Sequence, residues 1–262
     1  MIACPIVSET TEQSDVSRRM GDEIQIEGDY QHRAITSGPP IQRHWHQSKL
    51  ELLDWFFTPK SGLKALDVGC GSGVISDGLG KRGLEVTGVD ANKAAQEYAS
   101  KTFGRDHVRF LLGYLDELEL PESTFDVATC LEVIEHVYPP QIEKLLGDLA
   151  RLLKPGGRLL ITTPNYRGLW PMIEWAADRF ASTADMDVDQ HVTRIHRKML
   201  RGFLEAAGFE VEKMRCYCTF APFAAPISQG LAKMVDRGER AIDLPFGSLL
   251  AAVARVPGGE DD

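Results

Sequence analysis

Apolar residues along this chain alternate between short runs and helical spacing, and this alternation predicts a sheet flanked by helices. The short runs predict strands near residues 63–68, 85–90, 107–112, 124–130 and 157–163. Apolar positions three and four apart predict intervening helices near residues 73–82, 92–103 and 140–153. Strands that alternate with helices are typical of a doubly wound parallel sheet, so we expect an α/β fold.

The two ends of the chain depart from this alternation. Residues 1–43 are polar and include Ser37-Gly38-Pro39-Pro40, which predicts a flexible N-terminal arm. Apolar positions from Trp45 to Phe57 then predict a lid helix that opens a single domain, residues 44–262. Within that domain we expect an aromatic-rich insertion at about 164–195 and a C-terminal lid helix and last strand within about 220–256.

Composition and charge narrow the class of protein. The chain has 262 residues, 43% of them hydrophobic, which is enough for one α/β domain with a large core. A net charge of −9 argues against a general nucleic-acid binder. Five cysteines without a C-x-x-C pair, and no apolar run of membrane-spanning length, predict a cytoplasmic protein with at most peripheral contact at the inner face of a membrane. The sequence does not predict an oligomeric state.

A glycine-rich loop follows the first predicted strand. Asp67 precedes three glycines at alternate positions, Gly69, Gly71 and Gly73, which let a ligand approach the backbone closely. The loop lacks the lysine of a phosphate-binding P-loop, and its spacing differs from the dinucleotide fingerprint. A second acid, Asp90, ends the next strand about twenty residues on, where such folds bind ribose. Two acids without a phosphate ligand favour a positively charged sulfonium nucleoside.

These motifs resemble those of the class I S-adenosylmethionine (SAM) dependent methyltransferases. The first family motif is similar to Asp67–Gly73, and later motifs are similar to Gly113–Asp126, Leu153–Leu159 and Leu204–Phe209. The resemblance covers about residues 45–215 and is strongest to the ubiquinone-biosynthesis O-methyltransferases and the methyltransferases of types 11 and 12. It implies a Rossmann-like, seven-stranded sheet, mostly parallel with the last strand antiparallel, and SAM as the cofactor.

The resemblance also implies which residues contact SAM. Asp90 matches the ribose-binding acid, whereas Tyr114 stands where the family often has an aspartate that contacts the adenine amino group. Tyr114 and Leu115 are therefore expected to stack on adenine or to use backbone groups. The full set of expected cofactor contacts is Asp67, Gly69, Cys70, Gly71, Gly73, Asp90, Ala91, Tyr114, Leu115 and Leu131.

An E-x-x-E-H pattern after the fourth predicted strand carries the candidate chemistry. On one helical turn, Glu132, Glu135 and His136 would project to the same side and hold a divalent cation such as Mg²⁺. The pattern resembles the ubiquinone-biosynthesis O-methyltransferases and, more distantly, bacterial small-RNA 2′-O-methyltransferases. A further histidine in those families corresponds to His191. A bound cation would lower the pKa of an acceptor hydroxyl.

Alternatives remain for these residues and for the reaction. His136, with Glu132 and His191 beside it, is also a candidate general base without a metal, and a purely structural role is a third interpretation. His44 and His46 are expected on the surface of the lid helix. The favoured function is in-line O-methylation of a small or lipid-linked hydroxyl acceptor. Metal-free N- or C-methylation and an NAD-dependent Rossmann oxidoreductase are the alternatives.

Overall fold

A computed structural model of the chain describes residues 27–56, 61–180, 191–242 and 244–258. They contain a seven-stranded sheet with the strand order β3-β2-β1-β4-β5-β7-β6. Both pairs that involve β7 are antiparallel and the other pairs are parallel. The strands are β1 (Lys64–Val68), β2 (Glu85–Asp90), β3 (Val108–Leu112), β4 (Phe125–Leu131), β5 (Leu153–Pro164), β6 (Glu210–Tyr217) and β7 (Leu249–Arg255). The predicted Rossmann-like sheet is confirmed.

Helices cover both faces of this sheet. They are α1 (Tyr30–Thr36), α2 (Pro40–Phe56), α3 (Val74–Lys81), α4 (Lys93–Phe103), α5 (Pro139–Leu152), α6 (Trp170–Phe180), α7 (Arg197–Ala206), α8 (Ala221–Ala224) and α9 (Gln229–Ala241). Short 3₁₀ turns span Leu115–Glu117 and Ile134–His136. No helix within the described ranges combines the length and the apolar character required to cross a lipid bilayer.

The central strands are apolar on both sides, because the sheet separates two cores. Along β4, Ala128 and Cys130 face one core, and Val127 and Leu131 face the other. The first core is completed by α5 and α7, and the second by α2 and α3. A parallel sheet covered on both faces needs such continuous apolar strands, which is why the sequence predicted these strands to within a few residues.

The structure differs from the predicted arm. Helix α1 and the first residues of α2 lie inside residues 27–43, while residues 1–26 fall outside the described part of the chain. The His32 backbone N–H donates to Ser72 Oγ at 3.0 Å, and His32 Nδ1 lies 2.7 Å from the Tyr98 hydroxyl. The segment is therefore held by contacts with distant residues, which a local polar composition does not reveal.

The structure contains helices in the predicted insertion and C-terminal region, and a strand in the latter. Helix α6 lies in the insertion, where Trp170 is buried against Trp45 with ring centroids 4.6 Å apart, and Met172 and Trp175 are exposed. The side chain of Phe180 and residues 181–190 lie outside the described residues. Helix α9 and β7 match the predicted C-terminal lid helix and last strand.

Candidate active site

The strand order reverses between β1 and β4, and ligands of doubly wound sheets bind at that point, beyond the carboxyl ends of the strands. The glycine loop follows β1, and the Glu132–His136 segment follows β4, so both meet at this edge. Gly69 N and Cys70 N donate to Val89 O at 2.9 and 3.1 Å, which folds the loop back over β2. The topology therefore joins the two sequence motifs in one site.

Asp90 holds the glycine loop from the end of β2. Its Oδ2 accepts from Gly71 N at 2.7 Å, and its Oδ1 accepts from Asn92 N at 2.8 Å. A carboxylate offers about four lone-pair sites, so each oxygen retains capacity for a ligand hydroxyl. Burial raises the pKa of Asp90 above its usual value. Its position fits the predicted ribose contact and adds a role in shaping the loop.

Asp67 is buried beneath the loop. Its Oδ2 accepts from Ser76 Oγ at 2.6 Å, and its Oδ1 accepts from Thr129 Oγ1 at 2.7 Å. The register of β1 and β4 creates the second contact, because Asp67 lies directly beside Thr129. Burial raises the pKa of Asp67 to about 6, the two hydroxyls oppose that rise, and the nearby Asp90 adds to it. A cation above the loop would favour the ionised form.

A cavity opens beside this buried acid. Four of the predicted cofactor residues line it, namely Asp67, Gly69, Cys70 and Leu131. The other predicted contacts, Gly71, Gly73, Asp90, Ala91, Tyr114 and Leu115, lie along the same sheet edge and are not among its lining residues. The remaining walls come from the start of α3 and from α1 and α2, through Val74, Ile75, Gln31, Ile35, His46 and Lys49.

The cavity residues contributed by α1 and α2 were not predicted from the sequence. Gln31 lies over the loop, where a Cβ at Gly71 would meet its amide at 2.7 Å. Lys49 is buried and its Nζ lies 3.9 Å from Glu132 Oε2. The amphipathic spacing of α2 was visible, but no local signal shows which of its polar residues turn inward.

The two histidines of α2 are not on the surface as predicted. His44 is buried, at 2% exposure, and His46 lies in the cavity wall. Burial, with Lys49 nearby, holds the pKa of His46 well below its usual range. The prediction was wrong because α2 is covered by α3 and by the C-terminal helices α8 and α9.

The turn after β4 does not have the single helical turn that the sequence predicted. Glu132 has a left-handed backbone, with φ of 57°, and only Ile134–His136 form a 3₁₀ turn. The Glu132 carboxylate consequently faces β5 and α2, where its Oε1 accepts from Thr162 Oγ1 at 2.7 Å. Among the predicted cation ligands, Glu132 is therefore the one whose carboxylate does not join the cluster formed by the other three.

Glu135, His136 and His191 do come together. One potential ligand atom from each residue lies within 4.8 Å of those of the other two. Glu135 is buried, and its Oε2 accepts from Thr163 Oγ1 at 3.0 Å. Burial, reinforced by the neighbouring Glu132, raises the pKa of Glu135 well above its usual range. A divalent cation at this cluster would compensate the buried carboxylate in place of a proton.

His191 is held by a short chain of hydrogen bonds. The Tyr166 hydroxyl donates to Glu174 Oε1 at 2.8 Å, so it accepts from His191 Nδ1 at 2.9 Å. The proton on Nδ1 leaves the Nε2 lone pair for a ligand or an acceptor proton. Burial, with His136 close by, lowers the pKa of His191 to about 4, so the imidazole is neutral at physiological pH.

Replacing Gly69 with alanine is expected to cost about 1–3 kcal/mol of stability. Gly69 has φ of 67°, and an added Cβ would overlap the Val133 Cγ2 methyl, which a β-branched side chain cannot move away cheaply. Thermal unfolding of the variant measures the loss. Gly147→Ala is the control, because Gly147 lies in α5 with open space around it and should gain about 0.4–1 kcal/mol. Equal effects at both positions would contradict the steric argument.

The chain belongs to the methyltransferase domain family, whose family model matches residues 30–214, more than half of its length. This membership confirms the predicted class, SAM-dependent methyltransferases, and sets aside the NAD-dependent oxidoreductase. The match begins at residue 30, within α1.

Individual relatives and neighbours agree with this family. Over 108 residues the chain is 42% identical to a mitochondrial ubiquinone biosynthesis O-methyltransferase of Schizosaccharomyces pombe, covering 39% of this chain and 38% of that protein. The chain spans about two fifths to one half of the length of the curated relatives it matches.

Solved structures show the same fold. A SAM dependent methyltransferase from Archaeoglobus fulgidus superposes with a TM-score of 0.61 at 20% identity, covering 86% of this chain and 98% of that one. A putative methyltransferase from Haloferax volcanii, solved in complex with a Trm112 activator, superposes with a TM-score of 0.62 at 21% identity, covering 91% and 100%.

Proposed function

We propose that this protein transfers a methyl group from SAM to a hydroxyl oxygen of a small or lipid-linked acceptor. The observation that carries the proposal is that the glycine loop after β1 and the segment after β4 lie side by side. Leu131 and Gly69 line the cofactor cavity, and the residues that follow Leu131 lead directly to Glu135 and His136. An acceptor at that cluster would lie beside a methyl donor in the cavity.

The reaction would depend mainly on alignment. Holding an acceptor oxygen in line with the sulfonium methyl removes an entropic barrier worth up to roughly 7–11 kcal/mol in favourable cases. The buried carboxylate of Asp67 and the half-buried carboxylate of Asp90 favour a cationic donor, since both lie beneath or beside the glycine loop. The walls from α1 and α2 would exclude water from the sulfonium.

We further propose that Glu135, His136 and His191 hold a divalent cation such as Mg²⁺ at the acceptor. A carboxylate oxygen and two imidazoles from separate segments provide the donor atoms, and the Tyr166–Glu174 chain fixes one imidazole. When bound, the cation would polarise an acceptor hydroxyl. A hydroxyl acceptor benefits most from such help, because an oxygen must lose a proton to become a strong nucleophile, and this favours O-methylation.

We also propose the chemical class of the acceptor and the cellular location of the reaction. The name of the S. pombe relative refers to ubiquinone biosynthesis, and an acceptor of that kind is a phenol that carries a polyprenyl chain. Phe223, Ile227, Met234 and Ile242 expose large apolar side chains around α8 and α9, which suits a lipid-linked acceptor at the inner face of a membrane. The four cysteines in the described part of the chain are free thiols, which is typical of a reducing compartment such as the cytoplasm.

The test is a methyl-transfer assay with methyl-labelled SAM and a panel of acceptors. The panel contains a simple catechol, a polyprenylated catechol and an aromatic amine, each with Mg²⁺ and after exhaustive chelation. We expect methylation of a catechol oxygen, identified by mass spectrometry, that is lost on chelation and restored by Mg²⁺. Methylation of the amine alone, or undiminished turnover after chelation, would favour the metal-free alternative.

SAM affinity should increase as pH rises through about 6. The pKa of Asp67 is about 6, so the cationic donor binds a site that gains a negative charge across that range. Because this pKa is raised, the stability that Asp67 contributes is fully present below about pH 4 and is lost as pH rises through about 6. Calorimetric titration with SAM between about pH 5 and pH 7 measures the affinity. The Asp67→Asn variant should show a flatter profile, and an equally steep one would assign the dependence to another group.

A further inference from the structure

A second cluster of potential ligands lies away from the active-site cavity. His44, Cys218 and Asp236 each place one donor atom within 4.8 Å of the other two. They come from three separate segments, namely α2, the residue that follows β6, and α9. His44 lies on the opposite face of α2 from His46, the histidine in the cavity wall, since residues two apart on a helix point in nearly opposite directions.

The three side chains form a buried, chemically mixed set. Asp236 is 0% exposed, and His44 and Cys218 are each 2% exposed. An imidazole, a thiolate and a carboxylate are the three ligand types that zinc uses in proteins, and one divalent ion balances the two negative charges.

We propose that His44, Cys218 and Asp236 bind a zinc-type divalent ion with a structural role. On binding, the Cys218 thiol would release its proton to solvent while neutral His44 contributes a nitrogen lone pair. Ser48 lies one turn along α2 from His44, and its Oγ is 3.5 Å from Cys218 Sγ. That hydroxyl or a water would complete four-fold coordination. Ligands of a tetrahedral zinc are roughly 3.3–3.8 Å apart, so the three groups must close in slightly on binding.

The surrounding backbone already fixes the position of Cys218. Its carbonyl oxygen accepts from Ser248 Oγ at 2.7 Å, which ties it to the start of β7. Immediately afterwards, the Glu239 carboxylate accepts from the backbone N–H groups of Thr219, Phe220 and Ala221. The thiol is thus presented to α2 and α9 by a segment that is anchored on both sides.

An ion here would clamp the helix that forms one wall of the cofactor cavity. Two exposed or half-buried contacts also join α2 and α9, Gln229 Nε2 to Pro40 O at 3.0 Å and Lys233 Nζ to Glu51 Oε1 at 4.0 Å. Helix α2 carries His46 and Lys49 into the cavity wall. Fixing α2 against the C-terminal helix would therefore fix part of the cofactor site.

Cobalt substitution of the full chain tests this site independently of the methyltransferase proposal. The chelated protein is titrated with Co²⁺, and we expect a thiolate-to-cobalt charge-transfer absorption in the near ultraviolet at about one equivalent. The Glu135–His136–His191 cluster has no thiol ligand and cannot produce that band. Elemental analysis of the protein as purified should find zinc that Cys218→Ser removes.

Two control variants make the result specific. Cys216→Ser removes another buried thiol, two residues earlier on β6, and should keep both the absorption band and the zinc. Glu135→Gln should keep them as well, which separates this site from the proposed acceptor cation. Asp236→Asn provides a second ligand variant if Cys218→Ser does not fold. Absence of the band in the unaltered chain, or its survival in Cys218→Ser, would overturn the proposal.

Discussion

Replacing Asp90 with alanine is expected to raise the dissociation constant for SAM roughly 10- to 150-fold, or about 1.5–3 kcal/mol. The carboxylate holds Gly71 N at 2.7 Å and retains lone pairs for the ribose hydroxyls. The substitution therefore removes hydrogen bonds to the ligand and also releases the loop that receives it. Isothermal titration calorimetry with SAM measures the effect.

Two control variants are matched to Asp90→Ala. One changes another acid on the same strand, and the other is a milder substitution of Asp90 itself. Glu85→Ala removes an exposed acid at the opposite end of β2 and should leave affinity unchanged. Asp90→Asn keeps an acceptor for one backbone N–H but loses the charge, so it should fall between the two. Near-normal affinity in Asp90→Ala, with the fold intact by circular dichroism, would refute the ribose assignment.

The sheet and the glycine loop were predictable because their signals are local. Each strand from β1 to β4 is an apolar run that ends close to where the sequence placed it. A parallel sheet buried on both faces demands such runs, and the glycines at Gly69, Gly71 and Gly73 all take positive φ. In both cases the residue types that the local structure requires are visible in the sequence, so the strands and the loop can be predicted without knowledge of distant contacts.

Helix α1 was not predictable because its stability comes from distant partners. Ala34 is its only buried residue, so the helix has almost no apolar stripe of its own. Its position depends on contacts such as His32 with Ser72 and Tyr98, which are 40 and 66 residues away in sequence. A polar segment with one buried alanine is expected to be flexible when it is considered alone. Helix α1 is ordered because the folded domain provides these distant contacts.

The proposed acceptor site could be predicted only in part. Glu135 and His136 were predicted from their spacing, and the family resemblance implied His191; these three residues do come together. The predicted helical turn was wrong at Glu132, which has a positive φ. A left-handed residue at that point turns its side chain towards Thr162 on β5. Such a conformation is sparsely populated for residues other than glycine and tends to occur where surrounding structure imposes it.

Substituting Glu135 with glutamine is expected to lower kcat on the order of 10²–10³-fold, the equivalent of several kcal/mol of cation stabilisation. Glutamine keeps the shape and an acceptor for Thr163 Oγ1 but lacks the charge that attracts a cation. The dissociation constant for SAM should stay within about twofold, because Glu135 is not among the residues that line the cavity in which we propose that SAM binds. Glu117→Gln, at an exposed turn after β3, is the control.

Parallel variants at His136 and His191 decide between the cation and a general base. If the three residues share a cation, His136→Gln and His191→Gln should resemble Glu135→Gln, and raising Mg²⁺ should partly restore turnover in each. If His136 acts as a base without a cation, only its replacement should be severe, and added Mg²⁺ should have no effect. Turnover that survives in all three variants would remove this cluster from the reaction, and the acceptor would then have to bind elsewhere along the sheet edge.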